Sequence, residues 1–416
     1  ELLWNSAEYG IFTSAYGWFN VFLFMLIIGG IILDKLGIRF TGRLATVIMV
    51  IGTAIKYWAI STHSLDGHML FGMKLQVVVA GFGYAIFGVG VEVAGITVSR
   101  IIVKWFKGKE MALAMGLEMA TARVGTGLAI ATSAPLAVAL NGVSKPVLLA
   151  LILLCIGMIA FFLYTIMDKK LDEEIAAANA DNGVIPEEET FKLKDILFIL
   201  KNKGWWYIAI LCVLFYSAVF PFLKYATDLM VNKFGVNEEI AGLIPMLLPF
   251  GTIILTPLFG NLYDRKGKGA SIMILGAILL IFVHALFSVP FLNQTPVAIF
   301  LIIVLGIGFS LVPSAMWPSV PKIIPEKQLG TAYALVFWVQ NWGLMGVPAL
   351  IGWVLNRYCI DGTRLVQGVE VPNYNYTLPM IIFTSLGLLA LLFAFLLKAE
   401  DRKKSYGLEM PNIKKD

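Results

Sequence analysis

Two ionisable residues in apolar surroundings pose the first chemical question. Glu92 lies in "FGVGVEVAGITVSR" and Arg123 in "MALAMGLEMATARVG", with the basic knot "KWFKGKE" between the two runs. If each run is a helix leaving the turn at Lys107 and Gly108, both side chains stand about 22 Å from that turn, at matched depth. A carboxylate and a guanidinium at one level can hold the two ends of a small zwitterion. In an extended zwitterion two residues long those ends are ~6 to 7 Å apart. The arginine fork suits a bidentate contact with a carboxylate, and Glu92 would take the ammonium. The alternative is a fixed structural pair in which Glu92 and Arg123 neutralise each other.

The composition says what kind of element must position them. Of 416 residues, 59% are hydrophobic and 14% charged, and the mean hydropathy is +0.82. That is far more apolar than a soluble domain tolerates, so the chain is a polytopic membrane protein. Apolar stretches of ~20 residues, long enough to cross ~30 Å of hydrocarbon, recur throughout. Eleven are expected, at 9–33, 43–61, 76–104, 109–138, 146–167, 205–228, 238–261, 270–289, 296–321, 330–356 and 378–398. No ten-residue alternating pattern is present, so the spans are helices and the fold is all-α. At mid-bilayer depth an ionisable residue costs ~2.5 to 3.5 kcal/mol and points into the bundle or a watery cavity.

Lysine and arginine accumulate on the cytoplasmic side of membrane proteins. With the connection holding Lys35, Arg39 and Arg43 taken as inside, the inside loops and the C-terminal tail carry 24 of the 32 basic residues. Glu1 then lies outside and Asp416 inside, which becomes ordinary if one helix precedes Glu1. A first helix missing from this chain is therefore expected. The net charge of +5 sits in loops that face anionic headgroups, so the lipid bilayer is the expected partner and nucleic acid is not.

The chain also repeats itself. "GGIILDKLGIR" and "FGNLYDRKGKG" align Gly30 with Gly260, Asp34 with Asp264 and Gly37 with Gly267, 230 positions later. A second echo pairs "KEMALAMGLEMATARVG" with "KQLGTAYALVFWVQNWG". Two halves on one plan follow, with an N-terminal bundle at 1–167, a linker at 168–203, a C-terminal bundle at 204–398 and a cytoplasmic tail at 399–416. The stretch "FKLKDILFILKNKGWW" in the linker reads as a basic interfacial helix.

Parallel repeats with Gly-x-x-x-Asp-(Lys/Arg)-x-Gly turns resemble the major facilitator superfamily over the whole chain. The resemblance implies two bundles of six helices, so the five spans before the linker would be helices 2 to 6 and the six after it helices 7 to 12. Within the superfamily, "WFKGKE" at 105, "AR" at 122, "WP" at 317, "PEKQLGTAYA" at 325 and "QNWGL" at 340 resemble a lysosomal dipeptide-transporter family and its bacterial-type relatives. That family implicates an acidic residue on the fourth helix and an arginine on the fifth in holding the peptide ends, which match Glu92 and Arg123. Glu118 stands where the family carries a neutral amide.

By the second echo, Arg123 corresponds to Asn341 and Glu92 to Ser310, so only the first half carries the charges. The second half is expected to supply a neutral, aromatic wall from Trp317, Tyr333 and Asn341, with Tyr16 contributing from the first; lipid-facing or core packing is the alternative for each aromatic. Asp34 and Asp264 are expected to latch neighbouring helices as gating residues, with Arg100 as a partner and Arg265 beside Asp264. Lys104 is expected to snorkel to headgroups, Lys56 and Glu118 to be neutralised structurally, and Lys224 and Asp228 to form a rim pair.

Other chemistries drop out. No Walker-type phosphate loop is present, "GFGYAIFGVG" reads as helix packing, and the three histidines are too dispersed for a metal site. No cofactor and no catalytic constellation is expected. The resemblance implies a uniporter of dipeptides working by alternating access. Proton coupling through Glu92, an organic-anion carrier and a non-transporting receptor are the alternatives. The membrane is read as a bacterial inner (plasma) membrane, with the lysosomal membrane as the alternative, and a eukaryotic member of the family would bring an accessory membrane glycoprotein.

Overall fold

The structure is a computed structural model that describes residues 4–106, 111–180, 193–325, 328–366 and 369–412. Apolar runs become helices because a helix satisfies its own backbone where no water can. In chain order these are α1 (Ser6–Ser14), α2 (Trp18–Phe22), α3 (Met25–Ser61), α4 (Leu75–Phe106), α5 (Met111–Ala139) and α6 (Ser144–Ala180). They are followed by α7 (Leu193–Leu200), α8 (Lys203–Phe234), α9 (Leu247–Lys266), α10 (Gly269–Ser288), α11 (Thr295–Ile323), α12 (Leu329–Tyr358) and α13 (Thr377–Lys404). Two small antiparallel hairpins, β1 (Met69–Leu70) with β2 (Met73–Lys74) and β3 (Ile360–Val366) with β4 (Val369–Tyr374), join helix ends.

Among the described residues ten helices, not the expected eleven, are long and apolar enough to cross a membrane. The expected span 9–33 is not one helix. It divides into α1, a 3-10 turn at Ala15–Gly17 and α2, then breaks at Phe24, whose φ is 52°. Its last part runs on into α3, which is interrupted at Gly37 (φ 74°, ψ 174°). Before that glycine, Gly29 packs on Val93 and Asp34 meets Arg100; after it, Gly90 lies against Ala45 and Met49, and Gly52 against Gly83 and Phe87. The chain therefore runs along α4 in one direction, reverses at Gly37 and returns. Gly267, its counterpart in the repeat, also has positive φ (68°) and ends α9.

The helices after the linker share one continuous core, with Trp205, Phe215, Phe222, Tyr263, Phe287 and Phe383 fully buried. Before the linker the buried clusters are smaller, around Ala45, Val89 and Val93 and around Ala59, Leu65 and Ala80. Helix α6 is the most apolar of all and turns Ile152, Ile156, Ile159 and Leu163 outward, as a lipid-facing helix must. It also runs to Ala180, well past the expected end of its span at 167. The expected interfacial helix falls at α7, which buries Ile199 and exposes Leu197 and Phe198.

The tail does not hang free. Lys268 and Gly269 donate backbone N–H groups to the carbonyls of Glu409 and Leu408 (2.9 Å each). Ser271 donates through its N–H (2.9 Å) and hydroxyl (2.8 Å) to the Glu409 carboxylate. Lys322 Nζ reaches the carbonyls of Gly407 (3.0 Å) and Met410 (2.9 Å). The strap thus closes over the α9–α10 turn and the end of α11.

These contacts separate two glycines that the repeat makes equivalent. A Cβ at Gly37 would meet nothing within 4 Å, so Gly37→Ala should cost only the strain of a backbone conformation (φ 74°, ψ 174°) open essentially to glycine, ~1 to 3 kcal/mol. A Cβ at Gly267 would lie 2.4 Å from the Glu409 carbonyl oxygen. Gly267→Ala should therefore lower the unfolding temperature in detergent clearly more than Gly37→Ala, and truncation before Tyr406 should erase the difference.

Candidate functional site

Helix α4 carries Glu92, and a glycine one turn earlier sets its first partner. A Cβ at Gly88 would lie 2.2 Å from the Tyr16 carbonyl oxygen, so only glycine lets the Ala15–Gly17 turn press this closely on α4. On the other side, Gly17 packs against Asn341 and Met345 of α12. Tyr16 is thereby fixed between the two helices, and its hydroxyl donates to Glu92 Oε1 at 2.9 Å. Asn341 Nδ2 reaches the same oxygen at 3.4 Å and the Phe337 carbonyl at 3.0 Å. Asn341 Oδ1 is buried with no partner among the described residues.

Arg123 projects from α5, which approaches α9 closely because Gly127 takes Phe250 where a Cβ would sit. Its guanidinium lies over two rings of the second half, with Cζ 5.3 Å from the Phe309 centroid and 5.7 Å from that of Phe220. Among the described residues no ion pair involves Glu92 or Arg123, and both are half-buried. A cation–π contact supplies ~0.5 to 2 kcal/mol, less than the ~2.5 to 3.5 kcal/mol of inserting the charge. Phe220 and Phe309 together offset much of that cost without neutralising the guanidinium.

A continuous surface of the second half joins the two charges. Phe337, one turn from Asn341, stacks on Trp317 at 4.9 Å. The Trp317 indole N–H donates to the Tyr216 hydroxyl (3.1 Å), and the Tyr333 hydroxyl donates to the Trp317 carbonyl (3.1 Å). The Tyr216 ring then lies 5.6 Å from Phe309 and 5.5 Å from Phe220, the rings beneath Arg123. Tyr16 and Asn341 are thus brought to Glu92 itself, while Trp317 and Tyr333 join it only through Phe337 and Asn341. Sequence reasoning missed Tyr216, Phe220, Phe309 and Phe337. Phe337 falls midway between Tyr333 and Asn341 at four-residue spacing, a helical-face signal that would have found it. Ser310, the repeat counterpart of Glu92, is buried and bonds its own helix at Gly306.

The turn residues have different partners in the two halves. Arg100 Nη2 meets Asp34 Oδ1 at 2.6 Å. Asp264 instead accepts from the side chain of Asn412 in the strap (2.7 Å), and Arg265 is exposed. Lys104 does not snorkel. Its Nζ binds both oxygens of the fully buried Asp168 (2.9 and 3.0 Å) and reaches Asp172 at 2.5 Å, while Arg39 bonds Asp172 at 2.9 Å. Trp105 Nε1 (3.1 Å) and the Tyr164 hydroxyl (3.0 Å) also donate to Asp168. Arg43 donates to the Thr165 hydroxyl.

The expected rim pair and the expected neutralisation of Lys56 do not form. Asp228 accepts from the Tyr376 hydroxyl (2.5 Å) and Arg364 (3.5 Å), while Lys224 donates to the Thr13 carbonyl (3.0 Å). Tyr376 and Arg364 of the β3–β4 hairpin occupy the Asp228 carboxylate, and Lys224 is drawn to the other half instead. Lys56 lies over Tyr84 (5.0 Å) and Phe87 (5.3 Å), and Lys224 over the same Tyr84 ring (5.7 Å). Neither Lys56 nor Glu118 has an ion-pair partner among the described residues.

The chain's relatives share this architecture. Residues 1–348 match the family model described as Major Facilitator Superfamily. The chain is 28% identical to the lysosomal dipeptide transporter MFSD1 of Danio rerio over 366 residues, covering 85% of this chain and 73% of that protein. With MFSD1 of Homo sapiens the identity is 27% over 371 residues, covering 85% and 72%. Among solved structures, the partially occluded inward open xylose transporter XylE from E. coli superposes with a TM-score of 0.63 at 17% identity, covering 94% of this chain and 87% of that one. At that identity the superposition speaks for the fold alone.

The buried aspartate cluster gives a test of the first half's rigidity. Asp168→Asn removes the charge that Lys104 faces, which in a partly exposed cluster should cost ~1 to 3 kcal/mol. Because Asp172 still reaches Lys104 and Arg39, the loss should be partial, and adding Asp172→Asn should deepen it by more than either change alone. Detergent thermal unfolding of the two single variants and the double variant measures this coupling.

Proposed function

The chain belongs to the Major Facilitator Superfamily of membrane transporters, and on that premise we propose that it carries small zwitterions, dipeptides foremost, by alternating access. The observation that carries the proposal is the separation of Glu92 from Arg123. The two opposite charges are at matched expected depth, unpaired with each other, and face ends of one polar and aromatic wall. A structural pair would have closed on itself. Held apart, the carboxylate offers a seat for an ammonium and the guanidinium a bidentate seat for a carboxylate.

Both charges belong to the first half and the wall to the second, so the substrate would be gripped where the halves meet. Cross-half hydrogen bonds among the described residues run from Tyr9 to Lys224, Lys224 to Thr13, Trp338 to Val21 and Asn341 to Glu92. They lie along α1, α2 and the middle of α4, while the Arg100–Asp34 and Asn412–Asp264 contacts each stay within one half. This pattern suits a carrier closed at the Tyr9 end, with the Asp34 and Asp264 turns acting as gates.

Uniport is the favoured mode. Tyr16 and Asn341 supply hydrogen-bond donors to the Glu92 carboxylate, so no bound proton is needed to satisfy it. The relatives bearing the name dipeptide transporter are described as lysosomal. For this chain we read the membrane as a bacterial inner membrane with the lysosomal membrane as the alternative, which fractionation distinguishes. An accessory glycoprotein is a partner of the lysosomal alternative only.

Counterflow in proteoliposomes with dipeptides, single amino acids and sugars tests the substrate class. Dipeptides should exchange fastest, and N-acetylation should abolish their exchange. Glu92→Gln and Arg123→Lys should each lower kcat/KM at least ~10-fold, the loss of one charge-assisted contact of ~1.4 kcal/mol or more. Equal uptake of acetylated and free peptide would remove Glu92 from the site. An inward proton gradient should leave the initial rate unchanged, whereas acceleration would indicate symport.

A further inference from the structure

The two lysines that share Tyr84 are not used by the dipeptide clamp, and their surroundings point to a ligand. Lys56 comes from α3 and Lys224 from α8, so the two halves each bring one ammonium to a single ring. The ring is stacked with Phe12 at 5.1 Å and with Phe87 at 5.9 Å. Lys224 donates to the Thr13 carbonyl and retains further N–H donors, and Lys56 is without a hydrogen bond or ion pair among the described residues. Two carboxylates of the same region are engaged elsewhere: Asp228, one turn from Lys224, is taken by Tyr376 and Arg364, and Glu8 pairs with Lys74, while Glu92 accepts from Tyr16 and Asn341 and makes no ion pair with either lysine. Two lysines from different halves thus share one ring, and among the described residues neither has an ion-pair partner.

We propose that Lys56, Tyr84 and Lys224 form a subsite for a compact anion, either the side-chain carboxylate of an acidic dipeptide or a small inorganic anion such as chloride. The inference rests on the dipeptide reading for the first source and is independent of it for the second. The subsite adjoins the clamp, because the Tyr84 ring lies 5.7 Å from that of Tyr16, whose hydroxyl binds Glu92. Tyr84 and Glu92 are two helical turns apart on α4, about 12 Å along its axis. With its two ends held at one depth by Glu92 and Arg123, a dipeptide leaves its side chains to run along the helix axis, and a glutamate side chain would cover part of that distance while the lysine side chains cover the rest. An anion here would also relieve the repulsion between the lysines when the halves meet, and so favour closure at the Tyr9 end.

The test is uptake by the reconstituted full chain of Ala-Glu against Ala-Gln, which differ by charge at nearly equal shape, with chloride or gluconate in the medium. For the carboxylate source, wild type should favour Ala-Glu in kcat/KM by about tenfold. Lys56→Gln and Lys224→Gln should each cut that ratio at least threefold, while Lys56→Arg and Lys224→Arg retain it. For the inorganic source, chloride should speed Ala-Gln uptake by wild type and by the arginine variants but not by the glutamine variants. Glutamine variants that keep both the wild-type ratio and the wild-type chloride response overturn the subsite. If wild type carries neither peptide, the dipeptide reading fails, and the subsite is judged separately by unfolding in detergent. Chloride should then raise the unfolding temperature of wild type and not of the glutamine variants, and an equal response in all of them overturns it.

Discussion

A charge at mid-bilayer depth must be compensated, and the cheapest compensation is an opposite charge beside it. This protein keeps Glu92 and Arg123 from using each other, and much of the architecture around them serves that separation. Glu92 is held by hydrogen bonds from Tyr16 and Asn341, and Arg123 by the faces of Phe220 and Phe309. Hydrogen bonds and ring quadrupoles stabilise a charge without cancelling it. On the proposed reading, that leaves both residues available to a ligand that brings charges of its own.

The separation is maintained by close backbone approach. Gly88 admits the Tyr16 turn to α4, Gly17 admits α12, and Gly127 admits Phe250 of α9. Each lacks the Cβ that would push the helices apart, and in lipid such small-residue contacts are a principal source of helix association. The aspartate cluster does a parallel task at the Arg100 end. With Asp168 fully buried among Lys104, Trp105 and Tyr164, the end of α4 is tied to α6 through one carboxylate.

Much of this was legible in the sequence, for identifiable reasons. Depth is counted along a helix, so a matched level for Glu92 and Arg123 is what their equal distance from the expected turn at Lys107 and Gly108 implies, a turn that lies outside the described residues. The reversals at Gly37 and Gly267 announce themselves because positive φ favours glycine and the repeat places one at each turn. What could not be read is which helix a given face meets. Lys104 looks like a snorkelling residue until α6 brings Asp168 to it, and Lys224 looks like the partner of Asp228 until the β3–β4 hairpin and Tyr376 intervene. The break at Phe24 is equally silent, because "FNVFLFMLIIGG" is as apolar through the break as on either side, and hydropathy measures transfer into lipid rather than continuity of hydrogen bonds. The strap over Asp264 depends on residues more than a hundred positions away and leaves no local periodicity.

The unequal division of labour between the halves has a mechanical reading. Two halves that rock against each other change every distance measured across their interface and preserve those within a half. The proposed clamp for the two ends of one small molecule needs a constant separation, and both of its charges come from the first half, Glu92 on α4 and Arg123 on α5. The opposite wall must stay in contact while it slides, and aromatic faces lose little attraction when they shift laterally, whereas an ion pair or a hydrogen bond is lost within an ångström or two. Asn341 is the exception on that wall, a directional contact from the second half to Glu92. At 3.4 Å it is also the longer of the two bonds that the carboxylate accepts. An ammonium arriving at Glu92 would compete first with that bond, so substrate entry and the release of one half from the other would be a single event at one oxygen atom.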